Sequence, residues 1–341
     1  MDNRTRALMM GAGGAEKIYV EDVFSTWLYT GTGSTQAITN GIDLAGKGGL
    51  VWLKTRARSS GDFYSRHFLY DSARGLSATS YLHTDASDAQ GATGSVGSAP
   101  TFLSNGFTPG PSNLNTETYA SWTFRKAPKF FDVVTYTGNG VGGRVVPHNL
   151  GSTPGFVIIK RVDSTGNWFC SHRDLTNFGQ HMFLNQTAVA SSNLGWIGNV
   201  TSTQFQVYRI ADLNASGATY VAYLFAHDAG GFGDSGNESV VKCGSYTGNG
   251  SATGPTIDLG WEPQWLLIKQ ASGTAGEDWY IYDSMRGIAT GGNDPFLRAD
   301  LSASEVATSN HIDLLATGFQ PTTTGTATNQ SGTTYIYLAI A

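Results

Sequence analysis

The chain has 341 residues, with 44 glycines, 12% aromatic residues, only 14% charged residues and a formal net charge of −5. That length allows several hydrophobic cores, and abundant Gly, Thr, Ser and aromatics without 3.6-residue apolar stripes describe short strands and turns. The acidic balance argues against nucleic-acid binding, which needs a clustered basic surface, and no run of about 20 apolar residues is present to span a membrane.

Residues 1–17 open with Arg4 and Arg6 and a short apolar group, Ala7 to Met10. A secretory signal needs about 7–15 apolar residues, so this stretch reads as an extended arm instead. From Glu16 onward three markers recur in one order. The first is Thr26–Gly33, then Val133-Val134-Thr135-Tyr136-Thr137-Gly138-Asn139-Gly140, then Lys242–Gly250; their tyrosines Tyr29, Tyr136 and Tyr246 are 107 and 110 residues apart. The second is a short apolar run ending in Lys54, Lys160 and Lys269, spaced 106 and 109. The third closes each unit: Thr118–Phe124, Thr219–Phe225 and Thr334–Ala339. A period near a hundred residues matches a whole domain and exceeds the roughly 20–50 residues of a solenoid or propeller unit.

The expected fold is therefore all-β: three tandem antiparallel β-sandwich, jelly-roll-like repeats at 18–127, 128–229 and 230–341, arranged as beads in a row. Ile18–Val20, Phe24–Tyr29 and Leu50–Leu53 read as strands, and the polar stretch Ser77–Pro100 as a surface loop or hairpin. In Tyr119–Phe124 an apolar face alternates with a polar one. Arg125–Lys129 reads as a stiff exposed linker, and Asp228–Asn237 as a longer, more pliable one.

Repeats 1 and 3 share Tyr70-Asp71-Ser72-Ala73-Arg74-Gly75 and Tyr282-Asp283-Ser284-Met285-Arg286-Gly287, where repeat 2 has Cys170-Ser171-His172-Arg173-Asp174. An Asp and an Arg three apart beside a glycine predict a local ion pair that fixes a turn. Asp43, Asn149 and Asp258 each precede a leucine and predict a side-chain-held turn. Cys170 and Cys243 occupy different repeat positions and read as small buried hydrophobes, with no disulfide framework.

Gly233-Asp234-Ser235-Gly236 matches the nucleophile loop of chymotrypsin-like proteases, but a triad needs an oriented histidine and an oxyanion hole, and here the tetrapeptide lies in a linker. The seven histidines show no zinc spacing. No catalytic, metal or cofactor constellation is expected, and the chain does not read as an enzyme. Trp52, Trp122 and Trp265 lie inside strand markers and read as core. Trp196, in a glycine-flanked loop, and Trp261, before a proline, are the candidates for glycan contact.

The run Phe130–Gly140, followed by Pro147-His148-Asn149-Leu150-Gly151-Ser152-Thr153-Pro154-Gly155 and Phe156–Arg161, resembles a repeat of virion proteins of tailed bacteriophages, many from marine bacteria and cyanobacteria. Tyr220–His227, Val23–Thr26 and Asn40–Leu44 fit the same pattern. The resemblance implies a virion structural protein: a tail-fibre or tail-associated component contributing to host attachment, a head decoration, or a glycan-binding module. Within that reading the arm is the anchor on other virion proteins. Leu8, Met9 and Met10 would fill an apolar groove, Arg4 and Arg6 would pair with acidic groups, and the assembly is expected to be trimeric.

Overall fold

The marker run that ends in lysine is buried on both faces, and this decides the architecture. In the structure, a computed structural model that describes residues 17–58, 62–94, 97–110, 117–273 and 276–341, that run forms β3 (Gly49–Thr55), β10 (Pro154–Arg161) and β18 (Trp265–Gln270). The anchoring residues Arg4, Arg6, Leu8, Met9 and Met10 lie outside the described residues.

The remaining strands of the first repeat are β1 (Phe24–Thr30), β2 (Ile38–Thr39), β4 (His67–Asp71), β5 (Thr101–Leu103), β6 (Gly106–Thr108) and β7 (Thr118–Arg125). The second has β8 (Phe131–Thr137), β9 (Arg144–Pro147), β11 (Phe169–His172), β12 (Met182–Phe183), β13 (Ile197–Gly198), β14 (Gln204–Val207) and β15 (Thr219–Ala226). The third has β16 (Val241–Thr247), β17 (Ile257–Asp258), β19 (Trp279–Asp283), β20 (Phe296–Arg298), β21 (Ile312–Leu315), β22 (Gly318–Pro321) and β23 (Thr334–Ile340). The main sheets run β1-β7-β3-β4, β8-β15-β10-β11-β12 and β16-β23-β18-β19-β20. The small sheets run β2-β6-β5, β9-β14-β13 and β17-β22-β21. One order thus occurs three times; in the first, a Leu69–Leu82 bridge stands where the others have a fifth strand. First beside last and second beside next-to-last is the nested pairing of a jelly roll.

Alternation along each main-sheet strand sends successive side chains to opposite faces. On β18, Leu266 and Ile268 face the small sheet with Ile257, Ile312 and Phe319. Trp265 and Leu267 face the other way, into a second core. That core also holds Leu50, Trp52, Trp122 and Phe124 of the first repeat and Phe156, Ile158, Tyr223 and Phe225 of the second. Phe124 packs edge-on against both Phe225 (5.5 Å) and Trp265 (5.8 Å). The structure thus differs from separate beads in a row, because the outer face of every main sheet is apolar and must be covered. The expected polar face of β7 is likewise internal. Ser121 and Thr123 are fully buried, held by hydrogen bonds to Trp27 O and from Asn40 Nδ2.

Equivalent bonds join the repeats in one sense. Lys160 Nζ donates to Ser87 O (3.2 Å), Lys269 Nζ to Thr187 O (2.6 Å) and Lys54 Nζ to Ser302 O (3.3 Å). Trp168 Nε1 donates to His83 O (2.8 Å) and Trp279 Nε1 to Phe183 O (3.0 Å). At the third equivalent place stands His67. Its Nδ1 accepts from Trp52 Nε1, so Nε2 carries the hydrogen and meets Arg298 O at 2.9 Å. Backbone bonds Gln90 N to Val162 O, Ala190 N to Ala271 O and Glu305 N to Arg56 O return across the same three contacts in the opposite sense. Second to first, third to second and first to third: the three units close a ring with near-threefold symmetry inside one chain.

Other local expectations resolve individually. Ile18–Val20 is not a strand; a single 3-10 turn covers Val20–Asp22, and Asp22 accepts from the Tyr19 N–H. Ser77–Pro100 is not purely surface, since Tyr81 is buried in the first repeat's own core and Leu82, His83 and Thr84 are buried toward the ring contact. The ion pairs form, Arg74 Nε–Asp71 Oδ2 at 2.5 Å and Arg286 Nε–Asp283 Oδ2 at 2.6 Å, both buried. Asp43 and Asp258 hold their turns by accepting from Gly46 N and Gly260 N, whereas in the second repeat His148 Nδ1 accepts from Leu150 N instead. Both cysteines are buried and free.

Candidate functional site

On a ring this regular, the place to look is where one unit departs from the others. Of seven strongly exposed large hydrophobic side chains among the described residues, five belong to the second repeat: Val141, Val145, Leu194, Tyr208 and Ile210. Single exposed hydrophobics are ordinary, but a cluster on one unit marks an interaction surface.

The cluster is built on the small sheet. Phe205 and Val207 of β14 point inward and are buried, so Gln206 points out, opposite Val145 of β9. Tyr208, one residue beyond β14, lies across two glycines. Its ring carbons are 3.2 Å and 3.5 Å from where a Cβ would stand on Gly198 and Gly143. Tyr208 is 40% exposed, and its hydroxyl donates to Gln206 Oε1 (2.5 Å) and accepts from Asn199 Nδ2 (3.3 Å). A flat exposed ring bordered by amide donors and acceptors can stack on a sugar and hydrogen-bond its hydroxyls. Nothing in the local sequence marks Tyr208, which reads as one more strand residue.

Trp196 borders the same surface in a shallow cavity of about 400 Å³ with Leu194, Tyr208 and Arg209. Its ring packs on His181 (3.9 Å between centroids) and Phe169 (5.6 Å), and the Arg209 guanidinium sits 5.2 Å over it. Burial lowers the His181 pKa, so a neutral imidazole stacks there. Trp196 is half-buried and acts as the support of the surface, leaving Tyr208 and Arg209 at its front.

Trp261 is elsewhere. It lines a cleft of about 640 Å³ with Tyr19, Val20, Phe232 and Lys242, and its buried Nε1 has no hydrogen-bond partner. The two tryptophans singled out in sequence therefore do not form one site. The protease-like tetrapeptide lies in a tied turn rather than a loose linker. Gly231 N bonds Gly236 O, Gly233 N bonds Ile18 O, and Asp234 accepts from Lys17 Nζ (2.9 Å) and the Tyr19 hydroxyl (2.7 Å). No group of three or more His, Cys, Asp or Glu able to hold a metal occurs among the described residues.

No curated protein and no solved structure matches the chain. Residues 20–341, which take in every strand of the ring, match the family described as a domain of unknown function, DUF7483, and the chain belongs to that family.

Proposed function

We propose that the protein is a structural component of a tailed-bacteriophage virion, tail-fibre or tail-associated, that contributes to host attachment through a glycan contact on its second repeat. The repeat motifs from Phe130 to Arg161 support the virion reading. The observation that carries the attachment reading is Tyr208, exposed and bordered by Gln206, Asn199 and Arg209 on a surface that the other two repeats do not reproduce. Rigid aromatic platforms lose little conformational entropy on binding, and this one is mounted on a sheet within a closed ring. Residues 1–17, with Arg4, Arg6, Leu8, Met9 and Met10, would hold the ring to other virion proteins. A homotrimer belongs to this reading as well, although the chain already supplies threefold geometry by itself.

A head-decoration role is the second reading. It is favoured by the ring itself, which has no elongated shaft among the described residues. Immunogold labelling of purified particles separates the two: label on the tail supports the first and label on the capsid the second. Particles without label overturn both. For the glycan contact, Tyr208→Ala should abolish binding to immobilised host-surface glycan without altering the unfolding midpoint. Undiminished binding by that variant removes Tyr208 from the site.

A further inference from the structure

The turn after β11 is the other place where the second repeat breaks the pattern. In the first and third repeats the buried Asp–Arg pairs stand here, followed by Gly75 and Gly287 at left-handed φ of 76° and 101°. The second has buried His172 and Leu175 at the paired positions and Thr176, at φ 51°, in the place of the glycine. Asn177 (50°) and Phe178 (65°) continue left-handed, as do Lys129 (65°) and Asp228 (44°). These are five of the six left-handed non-glycine residues among the described residues, Asn199 being the other. Such backbone costs about 1–2 kcal/mol per residue and collects at ligand clamps.

Three of the five, Lys129, Asn177 and Phe178, line one cavity of about 360 Å³ together with Ser152, Arg173 and His227, and Thr176 and Asp228 are the chain neighbours of Asn177 and His227. Its chemistry is incomplete. His227 Nδ1 accepts from the Cys243 N–H (3.2 Å), so in the neutral ring Nε2 carries the hydrogen. Arg173 Nη1, also a donor, sits against that same Nε2. Asp174 Oδ1 forms a long ion pair with Arg173 Nε at 3.9 Å, too far for a hydrogen bond. Ser152 Oγ is buried with no hydrogen-bond partner. Two donors that face each other directly and an unpartnered hydroxyl therefore border the cavity.

We propose that this cavity binds an oxyanion, the carboxylate of an acidic sugar or a free phosphate, between Arg173, His227 and Ser152, with Lys129 adding positive charge. One oxyanion that parts the two facing donors would accept from both and from the serine hydroxyl, and charge-assisted bonds of this kind are the strong ones. It would also tie the left-handed turn to the first junction through Lys129 and to the second through His227. The inference stands apart from the Tyr208 surface and does not rest on it.

Isothermal titration calorimetry of the full chain against inorganic phosphate, glucuronate and neutral glucose tests it. The expected result is saturable binding of phosphate or glucuronate and none of glucose, weakened by added salt. Binding of phosphate alone assigns the free ion, and binding of glucuronate assigns the sugar acid. Arg173→Gln should lower the affinity about tenfold or more, the loss of one charged bond, while thermal unfolding stays cooperative. Should that variant fail to fold, Ser152→Ala decides, with a several-fold loss expected. No binding of either anion, glucose binding as well as glucuronate, or unchanged affinity in the deciding variant overturns the proposal.

Discussion

Tyr223→Phe removes one oxygen and almost no volume, so it isolates a single bond of the ring. The hydroxyl belongs to the second repeat, is buried, and donates to Asp71 Oδ2 of the first at 2.8 Å. Burial raises the Tyr223 pKa well above the ordinary range, so the donor proton is present throughout the neutral region. A hydrogen bond to a charged group contributes about 1.5–3 kcal/mol. Asp71 keeps its Arg74 partner and the N–H groups of Ala73 and Arg74, so no buried charge is orphaned, and the lower part of that range applies. We expect a loss of about 2 kcal/mol, measured by urea unfolding followed by circular dichroism. It should appear as a shift of one cooperative transition, because Tyr223 sits in the core common to the three units. A shift below about 0.5 kcal/mol, the range of ordinary surface substitutions, would refute the reasoning. So would two transitions of which only one moves.

Burial, the main cause, lowers Lys54 to about 7 and Lys160 and Lys269 to about 8. The unfolded chain keeps these protons up to about pH 10.4, so between about pH 7 and 10 it binds more protons than the folded chain, and stability rises with pH. Urea unfolding at about pH 7 and about pH 9 should show the gain, which is lost again as pH falls through 8 and 7; a flat or falling profile contradicts it. Gly248→Ala would place a Cβ 2.4 Å from Gln330 O. Because that atom is backbone and cannot swing away, we expect a loss above about 2 kcal/mol, read as a lowered unfolding midpoint; an unchanged midpoint counts against the turn geometry. Thr176→Gly restores at φ 51° the residue type that the other repeats use. It should raise stability by up to about 1 kcal/mol, and a lower midpoint would remove strain from the account of that turn.

What the sequence made legible were contacts that constrain side chains. The marker tyrosines recur because each stacks on its cross-strand partner: Tyr29 on Tyr119 (5.1 Å), Tyr136 on Tyr220 (5.0 Å) and Tyr246 on Tyr335 (5.2 Å). The glycine after each of the last two recurs because a Cβ there would meet Ala215 O or Gln330 O. The asparagine that follows recurs because Asn139 and Asn249 bond Asn214 and Asn329. The ring closure was not legible. The lysine spacing was visible, but the acceptors are backbone carbonyls of Ser87, Thr187 and Ser302. A carbonyl is the same whatever residue carries it, so the polar stretch around Ser87 gave no sign of its contact. Nor did alternation along Tyr119–Phe124 reveal that both faces are covered. Of the candidate surface, Trp196 was visible as an aromatic in a glycine loop. Tyr208 was not, because its exposure depends on Gly143 and Gly198 lying beneath it.

The central claim is that the outer faces of the three main sheets meet in one core. Small-angle X-ray scattering from residues 17–341 tests it most directly, because ring and row differ in overall size. A single closed body of this length has a radius of gyration of about 20 Å, and that is the value the ring predicts. Three separate units of about 13 Å each, set end to end, give about 30 Å, and a value near that would contradict the shared core.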